Sequence, residues 1–120
     1  MIAQAVIIQD RKVLMVQQYV QRGDIVWNYP GGGIEPSESP EQACIREVKE
    51  ETGYDVRLIE LLHLHNDKYT FSAEIVGGEL FVDKSQEHNQ DIVEAAWIGL
   101  HDTDKFDAYT RPFLETMRLI

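Results

Sequence analysis

A mixed β-sheet with helices packed on it, an α+β or α/β sandwich, is the fold class that the sequence predicts. Three observations predict it. The elements run as strands, one strong helix, more strands and a terminal helix. The 120 residues suffice for a single domain over 1–120 with one ordinary core. The chain is 43% hydrophobic and 27% charged, the balance of a soluble globular protein, and no repeat, low-complexity tract or linker divides it.

Met1 to Gln9 reads as a strand with little alternation, as in a strand buried on both faces. Asp10-Arg11 is a turn, and Lys12 to Val20 is a second strand hairpinned to the first. Gln21 to Asp24 reads as a loop. Ile25 to Tyr29 is a short strand that stops at Pro30 and the loop Gly31-Gly32-Gly33. Ser37 and Ser39 precede the clearest helix, which starts at Pro40 and runs to about Thr52, with Gly53 as its stop. Tyr54 to His65 and Asp67 to Val76 are β-like. Gly77-Gly78 supplies the glycines of a type I′ turn, with Leu80 to Asp83 as the returning strand. Lys84 to Asp91 is a polar, mobile loop, Ile92 to Ile98 a last strand, and helical character returns after Asp107.

Composition excludes several function classes. The net charge is −10, from 21 acidic and 11 basic residues, and such a field repels duplex nucleic acid. No apolar run approaches the roughly 18 residues of a membrane span, and the N-terminal segment is too short and uncharged for a signal peptide. Cys44 is the single cysteine, so no internal disulfide forms and no Cys-based zinc site exists. These features predict a cytoplasmic chain without nucleic-acid or membrane partners.

The chemistry concentrates between Gly32 and Tyr54. Glu47, Glu50 and Glu51 stand at i, i+3 and i+4, on one face of the helix. Carboxylates so placed repel each other, and divalent cations reverse that repulsion. Ala43 and Cys44 are small and are expected to leave space before the carboxylates, with Ile45 and Val48 toward the core. The preceding glycines let backbone approach a ligand closely. Hard oxygen donors beside an open polar space suit Mg2+ or Mn2+, which bridge to substrate phosphates. The plainer reading of the glutamates is a solvated acidic helix face.

Gly32, Glu38, Arg46, Glu47, Val48, Glu50, Glu51, Gly53 and Tyr54 together resemble the Nudix box, G-x5-E-x7-R-E-U-x-E-E-x-G-U with U aliphatic. Tyr54 is the one departure, a bulky apolar residue where the family has an aliphatic one. The resemblance implies the family's αβα sandwich and Mg2+- or Mn2+-dependent hydrolysis of a nucleoside diphosphate linked to another moiety. It implies metal-binding roles for Glu47, Glu50 and Glu51, with a backbone carbonyl at Gly31 or Gly32 as a further ligand. Arg46 matches the arginine that orients a box glutamate, and Glu38 the glutamate that ties loop to helix. A glutamate takes the proton from the attacking water, and which one does so varies within the family.

Outside the box, Glu94 precedes Trp97 in a late strand and has two readings, a second ligand or base, or an exposed strand residue. Trp27, Asn28 and Tyr29 read either as a base-binding wall or as strand and core. Tyr69 stands where dinucleoside polyphosphate hydrolases of the family often carry a tyrosine. His63 and His65 share a strand face and lack a third ligand, which favours structural or surface roles. Cys44 reads as a packing residue. The short domain with Trp27-Asn28 resembles the MutT type, which implies a (deoxy)nucleoside triphosphate such as 8-oxo-dGTP as substrate. Dinucleoside polyphosphates, ADP-ribose or nucleotide sugars are alternatives within the family, and a non-catalytic nucleotide sensor is an alternative of another class. Homodimers are common in the family, though the sequence carries no interface signature.

Overall fold

The computed structural model describes residues 1–20 and 23–120, apart from the side chain of His88. Residues 21 and 22, half of the expected Gln21–Asp24 loop, lie outside the described residues. The strands are β1 (Ile2–Gln9), β2 (Lys12–Tyr19), β3 (Ile25–Asn28), β4 (Gly31–Gly33), β5 (Tyr54–His65), β6 (Lys68–Gly78) and β7 (Ile92–Gly99). The helices are α1 (Pro40–Thr52) and α2 (Arg111–Thr116). Among the described residues the strands form one mixed sheet in the order β3-β2-β1-β6-β5, with β4 added to β1 and β7 to β2. The pairing of β1 with β6 is parallel and every other is antiparallel.

Each face of the sheet buries one core. Ala3, Ala5, Ile7 and Leu14 pack with Ala43, Cys44 and Val48 of α1 on the first face. Val6, Val13, Met15, Tyr29 and Ile98 pack with Leu114 of α2 on the second. β1 and β2 feed both cores by strict alternation, which explains why residues 5–8 and 13–16 are apolar at every position. This is the expected αβα sandwich.

The helix ends follow the expected chemistry. The Ser39 hydroxyl accepts from Gln42 N–H and the Gln42 side chain accepts from Ser39 N–H, a reciprocal cap. Gly53 closes α1 at φ 84°, and a Cβ there would lie 2.2 Å from the Glu79 carbonyl oxygen.

Four expectations are corrected. The type I′ geometry lies at Asn66-Asp67 (φ 50° and 59°), which joins β5 to β6, and again at Asp10-Arg11 (φ 52° and 62°). Gly77 and Gly78 instead continue β6 opposite Asp55 and Tyr54, and Leu80–Asp83 is not a strand. The glycine segment is a strand as well as a connection: Gly31, Gly32 and Gly33 pair with Gln4, Ala3 and Ile2. On α1, Ala43 and Cys44 face the core beside Val48, whereas Ile45 is 40% exposed; the small residues bring the helix close to the sheet. The Lys84–Asp91 loop is pinned through Asn89, whose buried amide donates to the carbonyls of Glu50 (2.7 Å) and Asp83 (3.1 Å).

Candidate active site

The box folds around one arginine. Arg46 Nε donates to Glu38 Oε2 at 2.6 Å and Nη2 to Glu38 Oε1 at 2.8 Å, a two-pronged contact. Its Nη1 reaches Glu47 Oε1 (3.0 Å) and Glu50 Oε2 (3.1 Å), and Nη2 reaches the Gly33 carbonyl (3.0 Å). Glu38 also accepts from Glu35 N–H, so the loop before α1 is tied to its middle turn. Together with that backbone contact, the guanidinium holds the Glu38 carboxyl near pKa 2, below the usual carboxylate range.

Glu51 lies deeper. It is 8% exposed and its Oε1 accepts from Gly31 N–H at 2.8 Å, which joins helix to glycine strand. Burial, reinforced by Glu47 and Glu50, pushes its pKa up to about 8 against the pull of that hydrogen bond. Glu47 presses against Gly32, where a Cβ would lie 2.6 Å from the carboxylate. A side chain at Gly32 would displace the Glu47 carboxylate from the place it now holds.

The sequence-predicted residues thus divide. Glu38, Arg46, Glu47, Glu50, Glu51 and Gly32 are gathered in one cluster on the α1 face. Gly53 ends the helix, and Tyr54 replaces an aliphatic residue for a physical reason: its hydroxyl accepts from Trp97 Nε1 at 3.2 Å, with the rings 5.9 Å apart. Tyr69 is in register with Ala3, and Ala3 with Gly32, so Tyr69 faces the α1 side two strands away; its ring stacks on Phe71. Glu94 and Trp27 both pair with Gln17, which places the three on the second face, turned from α1. Asn28, one residue on, faces the α1 side with Val16. Tyr29 is 3% exposed and donates its hydroxyl to the Thr110 carbonyl at 2.7 Å, with its ring against Phe113. Tyr29 is therefore core and forms no wall of an open site. Cys44 is buried and its thiol is pushed up to about 12, as a packing residue requires.

Sequence reasoning gave the second face too little. A cleft of about 260 Å3 there is lined by His63, His65, Lys68, Thr70, Tyr109 and Phe113, among others. His63, Thr70, Gln4 and Gly31 form one row across four strands, and Gln4 donates to the Thr70 hydroxyl at 3.0 Å. The cleft therefore shares its end of the sheet with the glycine strand. The alternation of His63 and His65 was the signal for it; Tyr109 arrives from the α2 side and leaves none.

As placed, no three carboxylate, imidazole or thiol groups among the described residues converge to ligate one ion. The donor set still fits a divalent cation. Three carboxylates lie within one turn of helix, and the most buried is kept from ionising by its surroundings, a penalty a cation removes. The missing side chain at Gly32 leaves the Glu47 carboxylate against bare backbone.

The family model for the NUDIX domain matches residues 1–117. A solved NUDIX hydrolase from Nitrosomonas europaea superposes with a TM-score of 0.81 at 30% identity, over 98% of this chain and 86% of its own. A solved ADP-ribose pyrophosphatase from Streptococcus suis superposes at 0.72 with 26% identity, over 98% and 90%. The 8-oxo-dGTP diphosphatase of Proteus vulgaris is 53% identical over 36 residues, 30% of this chain and 32% of its own. The chain spans 26% to 50% of the length of the first curated relatives it matches.

Proposed function

The chain belongs to the Nudix family, and from that premise we propose that it is a hydrolase of nucleoside diphosphate derivatives that works with Mg2+ or Mn2+. The observation that carries this reading is the joining of Glu51 to Gly31 N–H with Glu47 set against Gly32. It brings the box carboxylates and a side-chain-free strand to one place.

Glu47, Glu50 and Glu51 would hold the metal, with a Gly32 backbone oxygen beside them. When bound, the metal ions activate water and neutralise charge on the phosphate oxygens. The protein's own part is positioning. Arg46 holds Glu47 and Glu50 in one orientation, and Glu38 fixes Arg46. Glu51 is the most deeply buried of the three, and the Gly31 N–H fixes where its carboxylate sits. The overall charge of −10 opposes an anionic substrate, so binding depends on the recruited cations.

For substrate we favour a (deoxy)nucleoside triphosphate, 8-oxo-dGTP included. Its phosphates would lie at the glutamates, with Asn28 and Tyr69 on the same face of the sheet.

The test is a phosphate-release screen with Mg2+ and Mn2+ over 8-oxo-dGTP, ordinary nucleoside triphosphates, ADP-ribose, Ap4A and nucleotide sugars, with Glu51→Gln as blank. One preferred triphosphate, lost in the blank, is the expected result. Silence across the panel in a folded, metal-binding protein would overturn the catalytic reading in favour of a nucleotide sensor.

A further inference from the structure

The last turn of α1 carries two of the three box carboxylates, Glu50 and Glu51. That is an unfavourable place for them. A helix ends in carbonyls without intrahelical donors and in the negative pole of its dipole, and carboxylates there add like charge. Lys49 answers part of this, with its Nζ 3.2 Å from the Gly53 carbonyl oxygen. The rest of the turn draws donors from outside the helix.

Two of them come from the segment between β6 and β7. Phe81 N–H donates to the Thr52 carbonyl at 2.8 Å. Asn89 Nδ2 donates to the Glu50 carbonyl at 2.7 Å. In a continuing helix the Glu50 carbonyl would receive Tyr54 N–H, four residues on. Here β5 has begun, and Tyr54 N–H is turned to Thr52 Oγ1 at 3.3 Å. Asn89 takes its place.

Asn89 is suited to that one task. It is fully buried, and the same Nδ2 also donates to the Asp83 carbonyl at 3.1 Å. Turning the amide over would set its oxygen against two carbonyls, so its orientation is fixed. Its Oδ1 has no partner among the described residues. A buried amide that leaves its oxygen unmatched is placed for its donor bonds. The three glutamates depend on it unequally. Glu47 lies a turn earlier in α1, and Glu51 has its own anchor in Gly31 N–H at 2.8 Å. Glu50 is held by Arg46 at its side chain and by Asn89 at its backbone.

We propose that Asn89 is a positioning residue for metal binding, acting through the backbone of Glu50. With the Glu50 carbonyl capped, the last turn stays helical and the carboxylate stays beside Glu47 on Arg46. Without the cap that turn loosens, and placing Glu50 on an ion costs entropy. The inference rests on the reading of Glu50 as a metal ligand.

Mn2+ titration followed by electron paramagnetic resonance tests it, in the wild type, Asn89→Ala, Glu50→Gln and the double variant. Asn89→Ala alone is expected to weaken binding by about tenfold. With Glu50→Gln already present, it is expected to add no more than about twofold. Thr110→Val serves as control for a general loss of stability. It removes a buried hydroxyl bonded to Asp107 at the start of α2, and is expected to leave Mn2+ affinity unchanged. Asn89→Leu, close in volume and without a donor, stands in if Asn89→Ala does not fold, and circular dichroism checks each fold. Wild-type affinity in Asn89→Ala, an equal loss with and without Glu50→Gln, or a similar loss in Thr110→Val overturns the inference alone. A wild type without saturable Mn2+ binding overturns the metal reading and the inference with it.

Discussion

Arg46 and Glu38 are joined at 2.6 Å and 2.8 Å by two nitrogens of one guanidinium, while the third nitrogen spans Glu47 and Glu50. A loop residue, through Arg46, thus sets where two helix carboxylates point. Arg46→Lys keeps the charge and loses the fork. It is expected to leave the fold intact and to weaken divalent-metal affinity by about 10- to 100-fold, as loss of a supporting contact does, read by metal titration.

Glu51 makes the metal-free protein's stability depend on pH. Its folded pKa of about 8 lies above the ordinary 4.5, so the folded state holds the proton more tightly. Its contribution is full below pH 4.5 and is lost as pH rises through 8. The thermal midpoint of the metal-free protein is expected to fall across that window, and Glu51→Gln to flatten the fall. Glu38 acts in the opposite sense: its folded pKa of about 2 gives a contribution present above 4.5 and lost as pH falls toward 2.

Gly31 and Gly32 separate fold from site. A Cβ on Gly31 would lie 2.3 Å from the Ala3 carbonyl oxygen, which is backbone and yields only if β4 leaves β1. A Cβ on Gly32 meets the end of the Glu47 side chain, which can turn away. Gly31→Ala is expected to lower the denaturation midpoint clearly. Gly32→Ala should shift it little while weakening metal binding. Equal effects on both readouts would contradict this division.

Asn89 is buried and donates to two carbonyls, one of them Glu50 at the end of α1. Asn89→Ala removes both hydrogen bonds and is expected to cost about 1–3 kcal/mol in chemical denaturation. Faster amide exchange over residues 83–91 should accompany it.

The box was legible because two independent signals coincide there: helical spacing of Glu47, Glu50 and Glu51, and glycines at both ends of the segment. β1, β2 and the hairpin at Asp10-Arg11 were legible from the apolar stretches 5–8 and 13–16 on either side of four polar residues. The glycine strand was not, since Gly31–Gly33 has no side chains to express a pattern and pairs only because Ile2–Gln4 offers an edge. Gly77-Gly78 drew the turn away from Asn66-Asp67, whose left-handed residues are the less common choice. The bulge at Ile59 changes which residues share a face, and a sequence read with period two cannot reveal it.

The most direct measurement is Mn2+ binding, followed by electron paramagnetic resonance, in the wild type and in Glu47→Gln, Glu50→Gln, Glu51→Gln and Glu94→Gln. Three of these residues meet around Arg46 and Gly31, and Glu94 faces the other side of the sheet. Saturable binding is expected in the wild type, falling by more than about tenfold in each box variant and unchanged in Glu94→Gln. Full binding in the box variants, or loss confined to Glu94→Gln, would contradict it.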